Sequence, residues 1–257
     1  MARKGKDFWT TMGEANAAFP PTRLSLLARL KQGGANTRAE SIDTIVRAYW
    51  KPLYAFLRAQ GHRNEDAKDL VQGFCHELVE KGHLSKYDRS RGSFRTYLRV
   101  RLRGFARDQG AMDRAVKRGG ARRRVPLQEA EDLQALADRG PQTAADEAFD
   151  RAWAAGHLER AFERWKEWLT RRGKSRFLPL AELVKSGGPG KLPPIAQIAR
   201  DLSHAGDVEV TEADVRHFFE RDMKRLRDEL FAEVSEWTSD EEDAREELAY
   251  LLRCLTR

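Results

Sequence analysis

No stretch of this 257-residue chain is apolar for long enough to cross a bilayer as a helix. Charged residues make up 34% of it and its mean hydropathy is −0.69. A helical membrane protein is thereby excluded, and cores of modest size are expected. The N-terminus, Met1 to Pro21, is basic but lacks the apolar segment of a secretory signal, so the expected location is cytoplasmic. Cysteine is scarce. Cys75 and Cys254 each fall on a predicted helix among apolar neighbours, which suits packed, reduced thiols better than a bridge. The six histidines are scattered, and none stands at zinc-site spacing from a cysteine or another histidine. Asp66 and Asp69 could reach a divalent cation, but no partner cluster accompanies them. The run from Gly187 to Lys191 resembles a phosphate loop only superficially, because Leu192 stands where Ser or Thr is needed and prolines surround it. No Ser or Cys sits in a nucleophile elbow. An enzyme, a metal site and a bound cofactor are therefore not expected. Strand-period segments and internal repeats are missing too, so the fold class reads as all-α.

What the chain does have is a concentrated cation source. From Lys86 to Arg124 there are 14 Lys or Arg against three Asp, a local charge of +11 in a chain of net +7, leaving −4 for the remainder. Phe94, Leu98, Leu102 and Phe105 recur at helical spacing, with Tyr97 and Val100 close by. Arg95, Arg99, Arg103 and Arg107 recur every four residues and form a neighbouring stripe on the same helix. Few acidic residues compensate that row at i,i+4, so it repels itself unless something anionic lies along it. A solvated basic face is the plain alternative. The concentration of charge favours nucleic acid as the anion, with Lys86, Arg89, Arg91, Arg114, Lys117 and Arg118 adding to the cationic stretch.

Taken in order, residues 1–20 read as a tail ending at Pro20-Pro21, and a short amphipathic helix follows from Thr22 to Gly33. A second helix is expected from about Ala39, interrupted or restarted at Pro52 and continuing to Gly61. A third has Asn64 as N-cap, Glu65 and Asp66 in its first turn, and Gly82 beyond its end. A polar connector from Gly82 to Gly92 then delivers the chain into the arginine-striped helix. The first domain is expected over 21–118, a flexible linker over 119–145 and a second helical domain over 146–257. In the second domain Phe149, Trp153, Phe162, Trp165 and Leu169 mark buried positions, and a short helix is expected over 176–185. Pro193-Pro194 opens another helix, and Thr211-Glu-Ala-Asp gives a capping-box start to a long basic one. Those two together have the order of a helix-turn-helix. Ser239 opens a final Leu-rich helix.

The order of these segments resembles a known family. Asn64-Glu-Asp-Ala-Lys-Asp-Leu-Val-Gln-Gly-Phe, the polar connector and Gly92-Ser-Phe-Arg-Thr-Tyr-Leu look like domain 2 of a bacterial sigma factor of the sigma-70 superfamily. Phe19 to Arg23, Tyr49 to Tyr54 and Lys117-Arg-Gly-Gly are similar to the extracytoplasmic-function (ECF) type. The resemblance resumes at Phe149-Asp-Arg-Ala-Trp and runs to the last helix. It implies two helical domains, the second a sigma domain 4-like helix-turn-helix, and a subunit that directs core RNA polymerase to promoters. It implies polymerase binding through Asp66, Asp69, Leu70, Gln72 and Phe74. The connector and arginine helix would hold the unpaired −10 strand, with phosphates tracked by the Arg row and a base stacked on Tyr87 or Tyr97. Thr211, Arg216, His217, Arg221 and Lys224 would read a duplex −35 element. Promoter DNA and polymerase are thus the implied partners, an anti-sigma protein is a further one, and no membrane is involved. Two differences from the family pattern stand out: Gly73 where a Glu is usual, and the insertion-like His204 to Val210. Two other readings stay open, a stand-alone DNA-binding regulator and a degenerate sigma-like interaction protein.

Overall fold

The computed structural model describes residues 29, 34–117, 143–187, 192–205, 208–238 and 240–255, with backbone alone at 113–117 and 187. The expected tail, most of the first short helix, Arg118, the 119–142 part of the linker and Ser239 lie outside the described residues. Among those described, every regular element is a helix. Residues 34–117 and 143–153 belong to one compact unit and 154–255 to a second.

The first unit opens with α1, Ala35–Ala59, whose buried face is Ser41, Ile45, Tyr49, Pro52, Leu53, Phe56 and Leu57. It starts earlier than the sequence suggested and runs unbroken through Pro52. An interior proline costs about 3 kcal/mol. Fully burying Leu53, Phe56 and Leu57 returns roughly 1.5–3 kcal/mol each, so packing outweighs the missing hydrogen bond. α2, Asn64–Glu80, packs on α1. Its N-cap is Arg63, not Asn64, and no side chain caps it. Asn64 Oδ1 instead accepts a hydrogen bond from the Tyr54 hydroxyl at 2.7 Å, while Nδ2 donates to Glu65 at 2.9 Å. A tie back to α1 thus takes the side chain that local sequence assigned to capping. Ala67, Val71, Phe74, Cys75 and Leu78 form the inner face, and burial pushes the Cys75 thiol up to about 11, which keeps it protonated and inert.

Gly82, at φ 60°, turns the chain out of α2 in a conformation few other residues adopt readily. Two 3₁₀ turns follow, His83–Lys86 and Arg89–Arg91, the second capped by Asp88 accepting from the Ser90 amide at 3.0 Å. The chain then enters α3, Phe94–Lys117. Phe94, Leu98, Leu102 and Phe105 are buried as their spacing predicts. Gly73 supplies the close approach between α2 and α3: a Cβ there would lie 3.3 Å from Phe105 Cζ. That contact gives glycine at position 73 a packing reason.

α4, Ala144–Arg171, contributes its first ten residues to the first unit and the rest to the second. Thr143 Oγ1 caps it by accepting from the Asp146 amide at 3.2 Å. In the second unit Ala154, Phe162, Trp165 and Leu169 of α4 are buried, as are Leu180, Ala181 and Val184 of α5, Leu178–Gly187. α6, Ile195–Ala205, packs on α7, Glu212–His217. The capping box is present as predicted: the Thr211 hydroxyl accepts from the Asp214 amide and the Asp214 carboxylate accepts from the Thr211 amide. A π turn at Phe218–Asp222 joins α7 to α8, Met223–Ser235. A wider turn disturbs the backbone hydrogen-bond ladder, and here Trp165 Nε1 donates to the Asp222 carbonyl at 2.9 Å. Lys174 Nζ donates to both carboxylate oxygens of Asp222, at 2.6 and 2.8 Å. α9, Glu241–Leu255, closes the unit against α8, with Asp240 Oδ1 accepting from the Asp243 amide.

Candidate nucleic-acid interface

The arginine row of α3 is not uniformly open. Arg99 is 5% exposed, and its guanidinium donates to Asp150 Oδ2 at 2.8 Å with Asp146 Oδ1 3.5 Å away. Arg103 donates to Asp146 Oδ1 at 2.5 Å and lies over the Phe56 ring. Arg95 sits over Trp153, 5.3 Å from the ring centroid, with Asp150 Oδ1 at 3.6 Å. Asp146 and Asp150 are themselves 1% and 2% exposed. The sequence argument asked for an anion along this row, and the first turns of α4 supply one from within the chain. Arg107 alone of the four stands well out, 67% exposed and 3.6 Å from Asp108.

In the connector, Lys86 and Arg91 are exposed and Arg89 is half-buried. Tyr87 is buried, its hydroxyl donating to the Gly92 carbonyl at 2.9 Å and its ring edge-on to Phe94. Tyr97 is half-buried and donates to the His83 carbonyl at 2.7 Å. Both rings therefore pack within the unit, and Tyr87, offered from the resemblance as a base-stacking ring, is enclosed by its neighbours. His83 beneath them is pushed down to about 4, first by burial and then by Arg101, Lys86 and Lys81, with Glu77 opposing, so it is neutral near pH 7. Arg114 and Lys117 lie on the described helix backbone, and their side chains lie outside the description.

A different surface lies along α2. Asp66, Asp69 and Gln72 are exposed, and their side chains make no hydrogen bond or ion pair among the described residues. Leu70 is half-buried beside them. Phe74, grouped with this face from the resemblance, points inward instead: it is buried, with its ring 5.7 Å from Phe105. Its apolar ring belongs to the α2–α3 core, and a docking role for it is corrected to a supporting one.

In the second unit, Arg216, His217, Arg221 and Lys224 are all exposed. Arg216 is paired with Glu212 at 3.0 Å. Thr211 spends its hydroxyl in the capping box, and hydrogen bonds from Thr211 hold the Asp214 carboxyl below its ordinary range. The negative first turn of α7 and the open cations further along it thus share one helix.

Sequence reasoning missed Asp146 and Asp150 as partners of the arginine row. Their signal was present. They interleave with Ala145, Phe149 and Trp153, so the period that buries those apolar residues brings two carboxylates near the core. Buried carboxylates call for cations, and the largest supply in the chain is on α3.

Residues 45–114, from the middle of α1 through the connector and most of α3, match the family model described as Sigma-70 region 2. The chain carries a sigma-70 region 2. Such a region is found in sigma factors of the sigma-70 superfamily, which act in the initiation of transcription. No curated protein and no solved structure matches the chain. The region 2 match contains both the α2 face and the arginine row.

Proposed function

We propose that this chain is a sigma factor of the ECF type, that it works in the cytoplasm, and that it binds core RNA polymerase through Asp66, Asp69 and Gln72 on α2. The connector and α3 meet the −10 strand, and the exposed cations of α7 and α8 meet the −35 duplex. An anti-sigma protein is a further partner in this reading. The observation that carries it is a row of exposed polar side chains on α2, open to a partner, inside a region 2 match. Carboxylates aimed at solvent give little stability to their own fold, so a charge-reversing change there tests binding with little effect on folding. Purified chain should co-elute with bacterial core polymerase, and Asp69→Arg should abolish co-elution while leaving helical content unchanged. Equal co-elution of both proteins would remove the α2 face from the account.

One observation favours a second reading, a sigma-like interaction protein that holds its partner without opening DNA. Arg95, Arg99 and Arg103 are already engaged by Asp146 and Asp150. Co-elution with polymerase but no promoter opening on any DNA would support that alternative.

A further inference from the structure

The helix that engages these arginines is built for the purpose on one side. Asp146 and Asp150 stand one helical turn apart, and Phe149 and Trp153 stand one turn apart beside them. Phe149 is fully buried with its ring 6.3 Å from Tyr49, and Trp153 lies under Arg95. The carboxylates meet the guanidiniums of Arg95, Arg99 and Arg103 at 2.5 to 3.6 Å. Carboxylate and phosphate are alternative partners for the same guanidinium fork. While the helix is docked, three of the four stripe arginines have a carboxylate where a phosphate would sit, and Arg107 is left open.

We propose that residues 144–153 are a built-in competitor of nucleic acid on α3, an autoinhibitory contact that DNA must displace to reach Arg95, Arg99 and Arg103. This rests on the reading of α3 as the DNA-facing helix. The docked and undocked states differ in how many cations they offer, so they differ in salt dependence as well as in affinity. Each phosphate neutralised on a single strand contributes about 0.7 to the slope of log affinity against log salt. Three released arginines therefore steepen it by about 2.

The test uses the full chain and a fluorescent single-stranded oligonucleotide of mixed sequence, titrated over a range of salt. D146N/D150N is expected to bind at least about tenfold tighter than wild type at low salt, with the steeper slope. Unchanged affinity and slope, with wild-type helical content and with measurable wild-type binding, would overturn the inference and leave the DNA reading standing. Absence of binding by both folded proteins would overturn both. A second measurement needs no variant: hydrogen exchange of amides 144–153 in wild type, with and without saturating oligonucleotide. Faster exchange on binding supports displacement, and unchanged or slower exchange contradicts it, even where the double variant fails to fold. A wild-type chain that binds no oligonucleotide, beside a variant that misfolds, counts against both readings.

Discussion

Each unit buries charge, and the two differ in how deeply the partners are buried with it. In the first unit a buried cation, Arg99, is matched by carboxylates that are equally buried. In the second, Glu233 is 1% exposed and engaged by His157, Arg160 and Arg164, but both guanidiniums are about a third exposed. Burial works to raise the Glu233 carboxyl, but the hydrogen bond from His157 and the charges of Arg160 and Arg164 win and hold it at about 2. His157 goes the other way: burial, aided by Arg160, holds it below its ordinary range and neutral. The lesson lies in which partner can leave. Glu233 sits on α8, between helices that make up the core of its unit. Asp146 and Asp150 sit on the ten-residue start of α4, which joins a unit whose remaining core is built from α1, α2 and α3. Losing the first arrangement breaks a core; losing the second uncovers a helix face.

The largest expected effects come from breaking each cluster by one member. Glu233→Gln should cost about 3–5 kcal/mol, because it leaves guanidinium groups around an uncompensated site. Chemical denaturation followed by tryptophan emission would show it, and a loss under about 1 kcal/mol would mean the cluster is ornamental. Arg99→Ala should cost a comparable amount in region 2, since it removes the buried guanidinium that donates to Asp150 and lies beside Asp146. Loss of promoter opening in that variant would for this reason have to be read beside its stability.

Acid provides the next test. Glu233 has a folded pKa depressed from 4.5 to about 2, so its contribution, on the order of 3 kcal/mol, is complete above pH 4.5 and is lost as pH falls toward 2. His83 is depressed from 6.5 to about 4, and its contribution fades over that higher window because the unfolded chain takes up the proton first. His157, also depressed, adds loss below 6.5 in the second unit. Urea midpoints from pH 7 to 3 should therefore fall for wild type, and should fall less below pH 4.5 for Glu233→Gln. Parallel curves would reject the assignment.

Smaller effects sharpen the comparison within region 2. Gly73→Glu gains up to about 1 kcal/mol of helix propensity but forces Phe105 aside, for a net loss of about 1 kcal/mol. A gain in thermal midpoint would show that Phe105 yields freely. Arg107→Ala should change stability by less than about 0.5 kcal/mol, in contrast to Arg99→Ala, although both residues belong to one sequence stripe.

That stripe shows how far the sequence could be read. Local patterns carried the helical class, the α3 apolar face, the Thr211 capping box and the region 2 segments, because each depends on residues within one or two turns. Asn64 and Pro52 went differently because tertiary contacts, the Tyr54 hydroxyl and the α1 core, overrode local preference. The fate of the arginines depended on Asp146 and Asp150, beyond the reach of any helical period and across a stretch read as a linker. Residue spacing placed four arginines on one helix but could not say which would face solvent.

The most direct test of the central claim is transcription in vitro from fragments of the chain's own genome with bacterial core polymerase. The account predicts transcripts with defined start sites when wild-type protein is added, and none with Asp69→Arg. Wild-type protein that neither binds polymerase nor produces specific starts would contradict it.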